Sequence, residues 1–106
     1  MSFKSNSETY TNICISDLLF DEKVADMVEK HTATFPTKYF NNLCHMDTFP
    51  LTRSRLESVM KGYNDGLPPI SVISTIGDKY VVHNGRHRVT ATILNNHITI
   101  PCNIIE

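Results

Sequence analysis

The residues best suited to chemistry lie together in one stretch, Tyr80-Val81-Val82-His83-Asn84-Gly85-Arg86-His87-Arg88-Val89-Thr90-Ala91. A β-rich run meets a glycine, three basic or titratable side chains follow, and an apolar, helix-like pattern begins. A strand, turn and helix in that order bring unpaired backbone N–H groups and the positive end of a peptide dipole to one point, which suits an anion. Gly85 allows close backbone approach or φ > 0, and Arg86, His87 and Arg88 add side-chain donors. Phosphate fits this donor set, so Asn84, Gly85, Arg86, His87 and Arg88 are the candidate phosphate-binding residues. The plainer reading is a capped helix start whose arginines form surface ion pairs and whose histidine has a satisfied polar neighbour.

Arg53 and Arg55 form a second basic pair. They stand at the start of a predicted helix, where positive charge opposes the dipole, so an anion such as phosphate or a nucleic-acid strand would offset them. Simple solvation of both side chains is the alternative. His83 and His87 are four apart but straddle a strand-to-helix junction, so they do not share a helix face and no protein metal ligands are assigned. Cys44 and His45 are neighbours in sequence only, which does not make a nucleophile–base pair. Cys44 is expected in a loop or the core and Cys102 in the core. Cys14, Cys44 and Cys102 make an odd set without Cys-x-x-Cys spacing, which suits a reducing compartment and disfavours a structural zinc site.

The positioning elements follow from periodicity. Asn12-Ile13-Cys14-Ile15 reads as a short strand. Asp21 caps a helix to about His31, because Val24, Met27, Val28 and His31 recur at helical spacing. Residues 32–50 read as irregular, with Phe35, Tyr39 and Phe40 as an aromatic cover over the core. Thr52 caps a second helix to about Gly62, carrying Leu56, Val59, Met60 and Tyr63 on one face. Pro68-Pro69 forces extension, and residues 70–76 and 79–83 form a hairpin about Gly77-Asp78. The helix after Gly85 faces Val89, Ile93 and Leu94 inward and stops at Asn95-Asn96. A last strand follows with Ile100, Cys102 and Ile104 alternating, and Pro101 places it at a sheet edge or near a strand start.

Composition bounds the remainder. The chain has 106 residues, 41% of them hydrophobic, which accommodates one domain, residues 10–106, behind a flexible polar tail over 1–9. The net charge of −1 argues against a sequence-blind basic surface for nucleic acid. The halves differ, however. Residues 1–52 hold four Lys and seven acids, and residues 53–106 hold six bases and four acids, so an anion is expected to meet the second half. No apolar run approaches the ~18 residues of a membrane span, and the start lacks the apolar stretch of a signal peptide. An intracellular protein, cytoplasmic or nuclear, neither secreted nor in a membrane, is the expectation.

From about Arg53 onward the sequence resembles the ParB/sulfiredoxin superfamily. The features that carry the resemblance are a short helix at Leu56–Gly62, Gly66-Leu67-Pro68-Pro69-Ile70 leading into a strand, a hairpin over Ile70–His83, Gly85-Arg86-His87-Arg88 with Ala91, and Ile100-Pro101. It implies an α/β (α+β) fold, a small mixed sheet with helices packed on it. ParB proteins bind and hydrolyse CTP, sulfiredoxins use ATP, and the superfamily also holds free serine kinases and domains labelled as nucleases. By resemblance, Gly85–Arg88 would line nucleotide phosphates, with ATP or CTP and Mg²⁺ as the implied cofactors and His87 or Arg88 supplying charge. Asp47 is the candidate for the acid that kinase relatives use, with His87 as a second catalytic candidate. Arg86 replaces the sulfiredoxin cysteine, so that activity is not expected, and Asn84 stands where many relatives carry Asp. A complete ParB is not expected, for want of a helix-turn-helix. Two alternatives stay open: a non-catalytic module of the same fold that binds a protein or nucleic-acid partner, as in viral or mobile-element accessory proteins, and a DNA- or RNA-binding or nuclease-like protein.

Overall fold

The computed structural model describes residues 10–105; the expected tail, residues 1–9, lies outside them. The chain runs β1 (Thr11–Cys14), a 3₁₀ turn (Ile15–Asp17), β2 (Leu18–Asp21), α1 (Glu22–Thr32), a second 3₁₀ segment (Thr37–Asn42) and β3 (Leu43–Cys44). It continues through α2 (Arg53–Lys61), a 3₁₀ turn (Tyr63–Asp65), β4 (Ile70–Ser74), β5 (Tyr80–Asn84), α3 (Arg86–Leu94) and β6 (Thr99–Ile105). The six strands form one mixed sheet in the order β1-β6-β4-β5-β2-β3. β1 runs antiparallel to β6 and β4 antiparallel to β5, while β4/β6, β2/β5 and β2/β3 are parallel.

Alternation along the strands fixes which face is buried. Ile70 and Val72 of β4, Val82 of β5, and Ile100 and Cys102 of β6 point to one side, where they pack with Leu18 and Phe20 of β2. Val24 and Val28 of α1 and Val89 and Ile93 of α3 complete that core. α2 reaches it less directly, through Leu56 against Met27 and Ala91. α3 lies between α1, α2 and the sheet, so every residue from Val89 to Ile93 is buried rather than one stripe. Two of those residues are threonines. Each hydroxyl donates back one turn, Thr90 to the Arg86 carbonyl at 2.9 Å and Thr92 to the Arg88 carbonyl at 2.8 Å, which removes the cost of burying them.

The helix caps agree with the sequence reading. Asp21 Oδ1 accepts from the Lys23 amide at 3.0 Å, and Thr52 Oγ1 from the Arg55 amide at 3.3 Å. Four local expectations change. β2 was not anticipated, because Leu18-Leu19-Phe20 is continuously apolar and abuts a helix cap, leaving no alternation to read. Residues 32–50 are more ordered than expected: Asn42 is buried and its Nδ2 donates to the carbonyls of Ser16 at 2.6 Å and Leu18 at 2.7 Å, pinning the second 3₁₀ segment beside β2. Phe35 and Tyr39 are buried there while Phe40 is exposed. The hairpin turns over Thr75–Lys79 rather than Gly77-Asp78 alone, with the Thr75 hydroxyl donating to the Lys79 carbonyl at 2.6 Å. For β6 one of the two expected placements holds: it is an inner strand with Pro101 near its start, one residue before pairing with β4 begins at Cys102. No helix among the described residues is long and apolar enough to cross a membrane.

Candidate functional site

The junction of β5 and α3 depends on Gly85. Its φ is +114°, and a Cβ there would lie 2.4 Å from Ile70 Cγ2 and 2.7 Å from Ile70 Cβ. Conformation and space therefore both require glycine. The Gly85 carbonyl accepts from the Arg88 amide at 2.9 Å and the Val89 amide at 3.0 Å, closing the first turn of α3. Among the described residues, no acceptor meets the amides of Arg86 and His87. Those residues line an open cleft of about 790 Å³ whose other walls come from residues 47–50 and the start of α2.

One wall is fastened by a buried carboxylate. Asp21 is fully inaccessible to solvent, and its Oδ2 receives Arg86 Nη1 at 3.2 Å and the Thr48 hydroxyl, with Lys23 Nζ at 3.6 Å. Arg86 also donates to Thr48 Oγ1 at 3.1 Å and to the Phe49 carbonyl at 2.8 Å. Lys23 Nζ reaches the Met46 carbonyl at 3.4 Å. Burial alone would raise the Asp21 pKa. The Thr48 hydroxyl, the Lys23 amide and the charges of Lys23 and Arg86 outweigh it and hold the carboxyl below 3.8. This cluster ties the cap of α1, the loop over 46–49 and the first residue of α3 together.

The other wall, on α2, is held by apolar packing of Leu56 and by one neutral polar bond. The Thr52 amide donates to His87 Nε2 at 3.1 Å, which requires a ring nitrogen with a free lone pair. Burial lowers the His87 pKa below 6.5, and the nearby charges of Arg55 and Arg86 lower it further, so the ring is neutral at neutral pH. Arg55 is exposed and lines the cleft. Arg88 points to the Pro68-Pro69 segment, where Nη1 donates to both carbonyls, at 3.1 and 2.8 Å.

No protein-family model matches this chain, and no curated protein matches it. Solved structures do. Sulfiredoxin from Arabidopsis thaliana superposes with a TM-score of 0.57 at 18% identity, covering 92% of this chain and 85% of that one. A conserved hypothetical protein from Pyrococcus furiosus gives a TM-score of 0.58 at 15% identity, covering 92% of this chain and 32% of that one. This chain has a ParB/sulfiredoxin-like fold. At these identities the likeness concerns the fold alone.

Within the ParB/sulfiredoxin-like fold, the structure gathers nearly all the residues singled out in the sequence. Asn84, Gly85, Arg86, His87 and Arg88 line the cleft, joined by His83, Asp47 and Arg55. Arg53 is exposed and is not part of the cleft lining. Asp47 is an exposed carboxylate on the rim, free of the buried cluster. The acid that meets Arg86 is Asp21 instead, which sequence spacing marked only as a helix cap. Cys44 is half-buried on β3, its Sγ 3.6 Å from the Phe20 carbonyl, and burial with Asp21 and Glu22 nearby raises its pKa. Cys102 is buried and its pKa is pushed up to about 11 by desolvation. Among the described residues, no group of three or more His, Cys, Asp or Glu is arranged to hold a metal ion.

Proposed function

We propose that this ParB/sulfiredoxin-like chain binds a nucleotide or other phosphate ligand in the cleft at the start of α3. The observation that carries this reading is the Gly85 turn: it opens a buried helix at the cleft, with the amides of Arg86 and His87 unclaimed and the exposed Arg55 alongside. The two amides and the Arg55 guanidinium would hold phosphate oxygens. Arg86 would act at one remove by fixing residues 48 and 49, since its donors already serve Thr48, Asp21 and the Phe49 carbonyl.

Hydrolysis or phosphoryl transfer is the finer form of the proposal. Asp47 on the rim would orient an acceptor hydroxyl or water, and neutral His87 would take a proton at Nε2 only by releasing the Thr52 amide that this nitrogen now receives. Mg²⁺ arriving with ATP or CTP would neutralise phosphate oxygens, with Asp47 as the rim carboxylate able to meet it. Calorimetry with ATP, CTP and GTP in the presence of Mg²⁺ tests binding. At least one is expected to bind at millimolar concentration or better, and silence from all of them would remove the reading.

A second reading is favoured by the commitment of Arg86 and Arg88 to intramolecular partners, which leaves the cleft less cationic than its sequence implies. In that reading the fold is a non-catalytic module for a protein or nucleic-acid partner. A wild type without nucleotide affinity that retards nucleic acid in a salt-dependent manner would support it.

A further inference from the structure

Phe49 is 85% exposed, an unfavourable position for a phenyl ring. It lies in a segment that the surrounding side chains hold. Its own carbonyl receives Arg86 Nη2 at 2.8 Å, and the residue before it, Thr48, receives Arg86 Nη1 at 3.1 Å and bonds to buried Asp21. The ring is thus presented by an anchored backbone. It lines the same cleft as the start of α3, and Pro50 and Val59 line it too. The cleft lining therefore combines apolar surface from Phe49, Pro50 and Val59 with the cationic Arg55 and the α3 amides.

A ligand that matches this lining carries a flat apolar face and an anionic group, which describes a nucleoside phosphate better than a free phosphate or a phosphorylated sugar. We infer that Phe49 is the stacking platform for the nucleobase of a nucleotide whose phosphates meet the start of α3. This rests on the phosphate-binding reading above and adds the class of ligand. Stacking tolerates any base because each presents a π-face. The larger faces of purines make ATP and GTP the preferred ligands over CTP.

The experiment separates base from phosphate. Wild type and Phe49→Ala are titrated with Mg²⁺–ATP and with Mg²⁺–tripolyphosphate, which has the anionic part and no base. The expected result is ATP binding weakened about tenfold or more in the variant, tripolyphosphate binding equal in both proteins, and ATP binding restored in Phe49→Trp. Equal loss for both ligands would overturn the inference, since the side chain would then act on the cleft as a whole. Unchanged ATP affinity would overturn it as well. A wild type that binds tripolyphosphate as tightly as ATP would defeat base stacking while leaving phosphate binding intact. A wild type that binds neither would defeat both.

Discussion

The two walls that flank the start of α3 come from neighbouring stretches of chain and are held by opposite means. Residues 46–49 hang on a buried carboxylate that receives two cations and a hydroxyl. The start of α2, a few residues later, meets α3 through a neutral bond from the Thr52 amide to His87 and through Leu56 packed on Ala91, with no ion pair between the two helices among the described residues. The comparison reverses the first impression given by the charges. Arg86, placed where a ligand-binding cation would be sought, is part of the frame; Arg55, on the α2 wall, is exposed to the cleft. One wall commits its cation to internal partners, and the other keeps its charge available.

Gly85 sets the strand-to-helix junction that both walls flank, so its replacement gives the largest expected effect. In Gly85→Ala the new Cβ would collide with Ile70, whose Cγ2 lies 2.4 Å away, at a φ of +114°. A loss of about 3 kcal/mol or more is expected in urea unfolding, combining backbone strain with overpacking. A loss below about 1 kcal/mol would mean that the junction yields, and that the walls are not set by it.

Asp21→Ala attacks the wall over residues 46–49 alone. It leaves Arg86 largely buried without its carboxylate, and removes the α1 cap and the Thr48 anchor. About 3 kcal/mol is expected from breaking a buried pair on one side, with Asp21→Asn costing less because the amide oxygen still caps α1. The sign of the pH effect follows from the depressed pKa: this stabilisation is present above the ordinary value of 3.8 and is lost as pH falls through the lower folded value. Asp21→Asn should therefore flatten the acid limb of the unfolding curve. An acid limb identical to wild type would detach Asp21 from the frame.

Arg55→Ala tests the α2 wall. Stability should change by less than about 0.5 kcal/mol, as for an exposed substitution, while affinity for Mg²⁺–ATP falls about tenfold through loss of a charge-assisted contact. The opposite pattern, lost stability with unchanged affinity, would exchange the roles assigned to the two walls.

The residues show how much of this was legible beforehand. Gly85 was readable as a tight or left-handed position because glycine freely adopts φ > 0 where a strand turns at once into a helix. Thr52 and Asp21 were readable as caps from their place before apolar periodicity. The hairpin and the last strand followed from β-branched runs. What the sequence did not disclose was pairing at long range. Asp21 and Arg86 are 65 positions apart, and nothing local to either distinguishes a side chain aimed at a ligand from one aimed at a distant carboxylate. The same holds for Asn42, whose neighbours read as loop although its amide group pins β2, and for Phe49, which lies in the stretch read as irregular. The buried threonines of α3 were hidden for another reason: a helix covered on several sides loses the single stripe that periodicity detects.

The smallest effect separates the two walls by pH. The folded pKa of His87 lies below 6.5 through burial and the charges of Arg55 and Arg86. The unfolded chain therefore binds the proton more readily, and stability associated with neutral His87 is complete above pH 6.5 and declines as pH falls through the folded value. Protonation also removes the lone pair that receives the Thr52 amide. His87→Gln can keep an acceptor for that amide but cannot titrate. It should match wild type within about 1 kcal/mol at pH 8, the scale of one hydrogen bond, and lose only the slope just below pH 6.5. The limb governed by Asp21, below pH 3.8, should remain. Two separate pH windows, each abolished by its own substitution, are what two independently held walls require; one substitution flattening both would show that the cleft is a single cooperative unit.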